Sequence, residues 1–223
     1  MPIIDTKKVE ILTQLAEDNS SLVIFMRHGV QINDRENKIH MMQLPQNQTD
    51  GVTNASLRKT KAIAHAISHI TDETQKRLLL YSSKTMRAVE IAQVVSTITK
   101  SPIIFDENLS SVNYRKDLSD KEIEKILENN QGLLPWNEKI VDTVCESGKG
   151  TYKNISQHVA IILEKYFLPN TITFIITHTQ QINAASILAR LQPFRLPQLG
   201  MIVFSKNHYT VSAVQFPHAI FAD

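Results

Sequence analysis

Short continuous runs of apolar residues recur along the chain, and longer stretches with apolar residues at helical spacing separate them. Four of these runs have the length of a strand and cover residues 22–26, 78–81, 103–105 and 172–176. Such runs are typical of strands that are buried on both faces of a parallel sheet. The segment 201–216 predicts two further strands, joined by a turn around Lys206 to His208.

Helical patterns lie between the predicted strands. Asp5 or Thr6 is expected to cap a first helix that ends near Asp18, and further amphipathic patterns cover about 54–70, 86–95, 119–129, 151–167 and 179–188. Alternating strands and helices predict the α/β class, as a three-layer α/β/α sandwich with a mainly parallel central sheet. No linker is evident, so a single domain is expected over 1–223, with a long polar loop at 30–53 and a helical or loop insertion at about 106–150.

Polar residues follow three of the predicted strands directly. In sheets of this kind, ligands bind beyond the carboxyl ends of the strands. The three ends read Arg27-His28-Gly29, then SSKTMR over 82–87, then Thr177-His178-Thr179. Together they offer two arginines, a lysine, two histidines and several hydroxyls but no carboxylate, which favours a site for an anion.

Arginine side chains suit a phosphate because each guanidinium can donate a forked pair of charge-assisted hydrogen bonds. Lys84 and Arg87 are predicted to lie in the first turn of a helix, where positive charge opposes the helix dipole by about 0.3–1 kcal/mol. A bound anion would reverse that balance. The alternative is that both are solvated basic residues on a surface helix.

The two histidines suggest covalent chemistry on a phosphoryl group. We expect His28 to be the nucleophile, since neighbouring cationic groups bias an imidazole toward the neutral form that can attack phosphorus. His178 would then stabilise charge on the phosphoryl oxygens. Gly29 would let the backbone approach a ligand or adopt a positive φ. A structural role for either histidine is the alternative.

Composition narrows the class of partner. The 24 basic and 22 acidic side chains give a formal net charge of +2, which argues against nucleic acid as the main partner. The single cysteine, Cys145, excludes an intramolecular disulfide framework. The N-terminal segment is amphipathic and charged, unlike a signal peptide, and no apolar run is long enough to span a bilayer, so we expect a cytoplasmic protein with no membrane association.

His65 and His69 have helical metal-ligand spacing without an evident third ligand, and we expect both near the surface of their helix.

MRHG after a strand, SSKTMRA opening a helix and ITH after a late strand resemble the histidine phosphatase superfamily, also called phosphoglycerate mutase-like. The resemblance covers about 22–216. It implies that Arg27, His28, Arg87 and His178 form the core of a phosphate pocket, that His28 carries the phosphoryl group covalently, and that no metal or cofactor is needed.

Several positions depart from the pattern of that family. Val30 and Gln31 replace its usual Glu and Thr or Ser, and Asp34 stands at a usual asparagine, so the adjacent Asn33 is expected to serve instead. Thr179 replaces a usual glycine, but its backbone N–H remains available to phosphate. We therefore expect Gly29, Asn33, Ser83, Lys84, Thr179 and Gln180 to bind substrate or phosphate.

The proton donor is the departure with the largest consequence. Ser111 stands where many family members have a glutamate, and a general acid is typically worth about 10²–10⁴-fold in rate. Asp34, Asp106 and Glu107 are the candidate replacements. A substrate with a good leaving group, such as phosphohistidine or a phosphoanhydride, is the alternative.

Three functions are consistent with these residues. The first is a phosphatase that acts on a phosphorylated small molecule or a phosphoprotein. The second is a phospho-ligand-binding or scaffold protein that has lost catalysis, which the changes at Val30, Ser111 and Thr179 favour. The third is a phosphoglycerate mutase-type phosphotransferase. No basic cluster is evidently dedicated to a second phosphate, although Arg35, Lys38 and Arg115 could supply one. The sequence does not indicate an oligomeric state.

Overall fold

The computed structural model of the chain describes residues 4–30, 51–110, 117–119, 122, 125, 151–188, 197–206, 211–216 and 219–221. Its elements in chain order are α1 (Thr6–Asp18), β1 (Ser21–Arg27), α2 (Asn54–Glu73), β2 (Arg77–Ser82), α3 (Met86–Thr99), β3 (Ile103–Phe105), a 3₁₀ turn (Glu107–Leu109), α4 (Thr151–Tyr166), β4 (Thr171–Thr177), α5 (Thr179–Leu188), β5 (Met201–Lys206) and β6 (Val211–Phe216).

The six described strands form one sheet in the order β3-β2-β4-β1-β5-β6. β3, β2, β4 and β1 are parallel neighbours, and β5 joins β1 antiparallel before β6 joins β5 in the same way. β4 therefore lies between the two earlier strands β2 and β1. The predicted mainly parallel sheet is confirmed.

Side chains alternate between two hydrophobic clusters along β1. Leu22, Ile24 and Met26 pack with residues of α1, α2 and α3 on one face. Val23 and Phe25 pack with residues of α4 and α5 on the other face. Every residue of β1 and β4 is buried, as expected for strands covered by helices on both sides. The predicted three-layer α/β/α class is therefore confirmed.

A side-chain cap accounts for the position at which α1 begins. The side chain of Asp5 accepts hydrogen bonds from the N–H groups of Lys7 and Lys8, which fixes the start of α1. α2 continues three residues beyond the predicted end. Most of the predicted helix at 119–129, most of the turn predicted around Lys206 to His208, most of the 30–53 loop and most of the 106–150 insertion lie outside the described residues.

Within the described part of the chain, no helix combines the length and the apolar character that a membrane crossing requires.

Candidate active site

The carboxyl ends of β1, β4 and β2 lie at the same level of the sheet. Arg27 pairs in register with Thr177, and Ser82 pairs with Ile176. The ladder continues one residue further, because the N–H of His28 donates to the Thr177 carbonyl at 3.1 Å and that of Ser83 donates to the Ile176 carbonyl at 3.1 Å. Parallel pairing thus places the three polar strand ends side by side.

A turn at residues 197–200, far from β1 in sequence, borders the end of β1. The N–H of Arg27 donates to the Gly200 carbonyl at 3.0 Å, and the N–H of Leu199 donates to the Arg27 carbonyl at 3.1 Å. Leu199 is buried and has a φ of 65°, a strained conformation for a residue with a branched side chain. Sequence reasoning missed this turn, because nothing in its local pattern distinguishes it from a surface loop.

The side chains of Arg27, His28, Arg87 and His178 gather at this edge and are 8%, 8%, 8% and 2% exposed. The imidazole rings of His28 and His178 lie 5.0 Å apart between centroids. An Nη2 of Arg87 lies 3.2 Å from Nδ1 of His178, and the charges of both guanidinium groups act on both histidines. The four residues that the sequence analysis placed in one pocket are together in the structure.

A backbone hydrogen bond determines which ring nitrogen of His28 carries the proton. Its Nδ1 lies 2.8 Å from the carbonyl oxygen of Gly29. A carbonyl can only accept, so Nδ1 carries the proton and the lone pair of the neutral ring is on Nε2. The backbone of the next residue thereby selects the tautomer that can attack an electrophile.

Burial and positive charge keep His28 neutral. Desolvation lowers its pKa well below the ordinary value, and the charges of Arg87 and then Arg27 lower it further, while the hydrogen bond to Gly29 acts in the opposite direction. The sequence prediction that cationic neighbours favour the neutral imidazole is correct in direction, although burial is the larger cause.

His178 is held by side chains of the β2–α3 connection. Its Nε2 lies 2.9 Å from Oγ of Ser83 and 3.1 Å from Oγ1 of Thr85. Burial lowers the pKa of His178 well below its ordinary value, and the neighbouring Arg87, His28 and Arg27 add to that effect. The expectation for Ser83 was direct contact with phosphate, whereas the structure shows its hydroxyl on the second histidine.

The structural reason for a glycine at position 29 differs from the two that the sequence suggested, which were close approach to a ligand and a positive φ. Its φ lies outside the left-handed region, so no positive φ explains it. A Cβ at this position would lie 2.7 Å from Cβ of Ser56 and 2.9 Å from its Oγ. Ser56 in turn accepts a hydrogen bond from the N–H of Val30 at 2.9 Å. Glycine is required here by the close approach of α2 to the strand end.

The placement of Lys84 also differs from its prediction. Lys84 precedes α3 and its N-cap residue Thr85 instead of lying in the first turn. Its side chain is largely exposed, and Nζ lies 2.6 Å from a carboxylate oxygen of Glu107. The positive charge that was assigned to a phosphate is paired with that carboxylate in this structure.

Neither described candidate for the proton donor is arranged for that role. The hydrogen bond and charge of Lys84 lower the pKa of Glu107, whereas a donor near neutral pH needs a raised pKa. Both carboxylate oxygens of Asp106 accept hydrogen bonds, one from Asn108 and the other from the Tyr166 hydroxyl at 3.0 Å. Burial raises the pKa of Tyr166, so its hydroxyl stays a donor to Asp106.

Of the other residues that were predicted to form the site, Thr179 and Gln180 are among those that the structure describes. Thr179 begins α5 and is half-buried, and Gln180 in its first turn is buried. Asn33, Asp34 and Ser111 lie outside the described residues, so their roles stay predictions. Within the described part of the chain, no three His, Cys, Asp or Glu side chains are grouped as metal ligands. His65 and His69 are exposed on α2, as predicted.

Two solved structures share this architecture over most of their length. The phosphoglycerate mutase from Bacillus anthracis str. Sterne matches with a TM-score of 0.67 at 11% sequence identity, covering 91% of this chain and 95% of that one. The phosphoserine phosphatase from Entamoeba histolytica, solved with 3-phosphoglyceric acid, matches with a TM-score of 0.58 at 18% identity, covering 88% and 96%. The chain has the histidine phosphatase fold.

A mycobacterial glucosyl-3-phosphoglycerate phosphatase also has the histidine phosphatase fold, with a TM-score of 0.57, 14% identity and coverage of 87% and 96%. The sequence matches no protein-family model and no curated protein sequence. The sequence resemblance is thereby confirmed at the level of the fold.

Proposed function

We propose that the protein is a phosphatase that hydrolyses phosphomonoesters or phosphorylated side chains through a phosphohistidine on His28. The observation that carries this proposal is the state of His28. The ring is buried and neutral, its Nδ1 proton is held by the Gly29 carbonyl, and its Nε2 lone pair is left for attack beside two guanidinium groups. The phosphatases with the same fold support the proposal that the reaction is hydrolysis.

The reaction follows from these groups. Nε2 of His28 forms a bond to phosphorus while the bond from phosphorus to the leaving oxygen breaks, and that oxygen leaves with the electron pair and takes up a proton. Arg27 and Arg87 stabilise the negative charge on the transferring phosphoryl oxygens. Water then attacks phosphorus, the P–N bond breaks, and inorganic phosphate and neutral His28 are formed.

The leaving group decides which substrates are turned over fastest. Asp106 and Glu107 are engaged by Tyr166 and Lys84, so neither is poised to protonate the leaving oxygen. Asp34 remains a candidate donor outside the described residues. Aryl phosphates need little acid assistance, so we expect them to be hydrolysed faster than alkyl phosphates.

The test is turnover of p-nitrophenyl phosphate by the purified protein, by His28→Ala and by His65→Ala. We expect His28→Ala to lose turnover by at least about 10³-fold, as for removal of a covalent nucleophile. His65 is exposed on α2, so His65→Ala controls for the loss of a histidine as such. Rapid quenching with a radiolabelled phosphate ester should trap an acid-labile phosphoenzyme on His28.

The outcomes separate the three candidate functions. Turnover that survives His28→Ala would exclude the covalent mechanism. Phosphate binding without turnover of any ester would identify a phospho-ligand-binding protein, which the engaged carboxylates of Asp106 and Glu107 favour. Isomerisation of phosphoglycerate that depends on a bisphosphate primer would identify a mutase.

A further inference from the structure

Thr85 directs its hydroxyl to the second histidine instead of to its own helix. It occupies the N-cap of α3, where a threonine side chain ordinarily accepts a hydrogen bond from an N–H of the first turn. Thr85 makes no such bond. Its Oγ1 is buried and lies 3.1 Å from Nε2 of His178 and 3.0 Å from Oγ of Ser83.

We propose that Thr85 is a positioning residue that, together with Ser83, holds His178 with its proton on Nε2 and its Nδ1 toward Arg87. Guanidinium groups only donate, so the 3.2 Å contact from Arg87 makes Nδ1 of His178 the acceptor. A neutral ring then carries its proton on Nε2. Two hydroxyl oxygens lie within hydrogen-bond distance of that proton, and the contact between them orders both.

The same geometry excludes a serine nucleophile. Ser83 and His178 have the separation of a hydroxyl and its general base. A base needs its lone pair on the nitrogen that faces the hydroxyl, but here the lone pair faces Arg87. The hydroxyls therefore orient the histidine, and the histidine does not activate a hydroxyl.

The consequence for catalysis depends on the proposed phosphatase function. When Arg87 donates to a bound phosphoryl group, Nδ1 of His178 is released and can accept a hydrogen bond from a protonated oxygen of a phosphate monoanion. Nε2–H keeps its bonds to Ser83 and Thr85. The ring that the two hydroxyls hold thereby presents its lone pair to the bound phosphoryl group.

The experiment compares Thr85→Val, which removes the hydroxyl at nearly constant shape, with Thr85→Ser, which retains a hydroxyl. Thr173→Val is the matched control, because Thr173 is equally buried and its hydroxyl bonds the Tyr166 carbonyl outside the site. Nitrogen NMR of histidine-labelled protein reports the protonated nitrogen of His178, and calorimetry reports the affinity for inorganic phosphate. His178→Gln assigns the signals.

We expect the unmodified protein to show His178 protonated on Nε2. Thr85→Val should shift its nitrogen signals and weaken phosphate binding about 3- to 10-fold, the range for loss of one hydrogen bond. Thr85→Ser should stay within about 2-fold of the unmodified protein, and Thr173→Val should change neither quantity.

Two results would overturn the inference. One is a His178 proton on Nδ1 in the unmodified protein, which requires no variant to fold. The other is a folded Thr85→Val whose His178 signals and phosphate affinity are unchanged. Neither measurement needs turnover, so an inactive protein with a Thr85-dependent His178 tautomer would count against the phosphatase proposal and not against the positioning role.

Discussion

The ionisation of single side chains links this site to the stability of the protein. His28 and His178 are both buried with pKa values well below the ordinary value of about 6.5. Below pH 6.5 the unfolded chain binds protons at these positions that the folded chain does not bind. Stability is therefore complete above pH 6.5 and is lost as the pH falls from there toward the folded pKa values.

We expect the free energy of unfolding to fall by up to about 1.4 kcal/mol per pH unit for each histidine between pH 6.5 and 5.5. Urea titrations over this range measure the slope. The double variant His28→Gln/His178→Gln should flatten it, and His65→Gln, at an exposed position, should leave it unchanged. An equally steep slope in the double variant would show that other groups are responsible.

A second prediction at this scale concerns Gly29 and its contact with Ser56. Gly29→Ala adds a methyl group where Cβ of Ser56 would be 2.7 Å away. Overpacking of this kind typically costs about 1–3 kcal/mol, so a corresponding loss of stability is expected in urea unfolding. Adding Ser56→Gly removes the clash, and the double variant should lose less than the sum of the two single variants. Additive losses would contradict the steric explanation.

Individual residues also show where the sequence was informative. His28 and His178 were identifiable because each directly follows a buried apolar strand. Thr85 was not, since a hydroxyl before a helix is ordinarily read as a cap. Lys84 was misplaced for a related reason: its charge suggested an anion, but Glu107, more than twenty positions later, supplies the partner.

At the scale of elements, the end of α3 contains strain that substitution can remove. Lys100 ends this helix with a φ of 59°, in the left-handed region, and its side chain is exposed. A residue with a Cβ is disfavoured there by about 1–2 kcal/mol, whereas glycine adopts the conformation readily but loses more entropy on folding.

We expect Lys100→Gly to raise the free energy of unfolding by about 0.5–1 kcal/mol, measured by urea titration at neutral pH. Lys61→Gly is the control, and it is expected to lower the free energy of unfolding. Lys61 is exposed in the interior of α2, where glycine should cost about 1 kcal/mol. A loss of stability in both variants would show that the left-handed conformation is not a source of strain.

The element pattern was predictable because burial sets it locally. Runs of apolar residues gave β1, β3 and β4 within a residue or so, and Asp5 gave the start of α1. The turn at 197–200 was not predictable, because its contacts with Arg27 and His28 join segments about 170 positions apart. No local propensity encodes such a pairing.

At the scale of the whole molecule, ligand binding and folding are linked. An anion that binds only the folded chain stabilises it by about 2.7 kcal/mol at a concentration of 100 times Kd. For a chain of this size we expect phosphate to raise Tm by about 5–10 °C at that concentration. Thermal unfolding in phosphate and in chloride at equal ionic strength measures the difference.

Arg87→Gln is the test variant for this prediction, with Arg58→Gln as the control on an exposed arginine of α2. Arg87→Gln should abolish the difference between phosphate and chloride, and Arg58→Gln should retain it. An equal response to phosphate in all three proteins would place the anion elsewhere on the surface.

The fold class could be predicted from the sequence because alternating strands and helices leave few arrangements. The order of strands could not, since apolar runs of similar composition do not specify their neighbours. The prediction that Arg27, His28 and His178 lie close together therefore rested on the rule that ligands bind beyond the carboxyl ends of parallel strands. The in-register pairing of β1 with β4 is the physical reason that these residues are neighbours.

The central place of β4 in the sheet has a consequence during protein synthesis. β4 begins 144 positions after β1 ends, and β5, the other neighbour of β1, emerges later still. At about 5–20 residues per second, β1 leaves the ribosome roughly 7–30 seconds before either of its neighbours in the sheet. Throughout that interval a seven-residue segment with five consecutive apolar residues is without its sheet partners, so we expect the nascent chain to need chaperones that shield such segments until β4 has emerged.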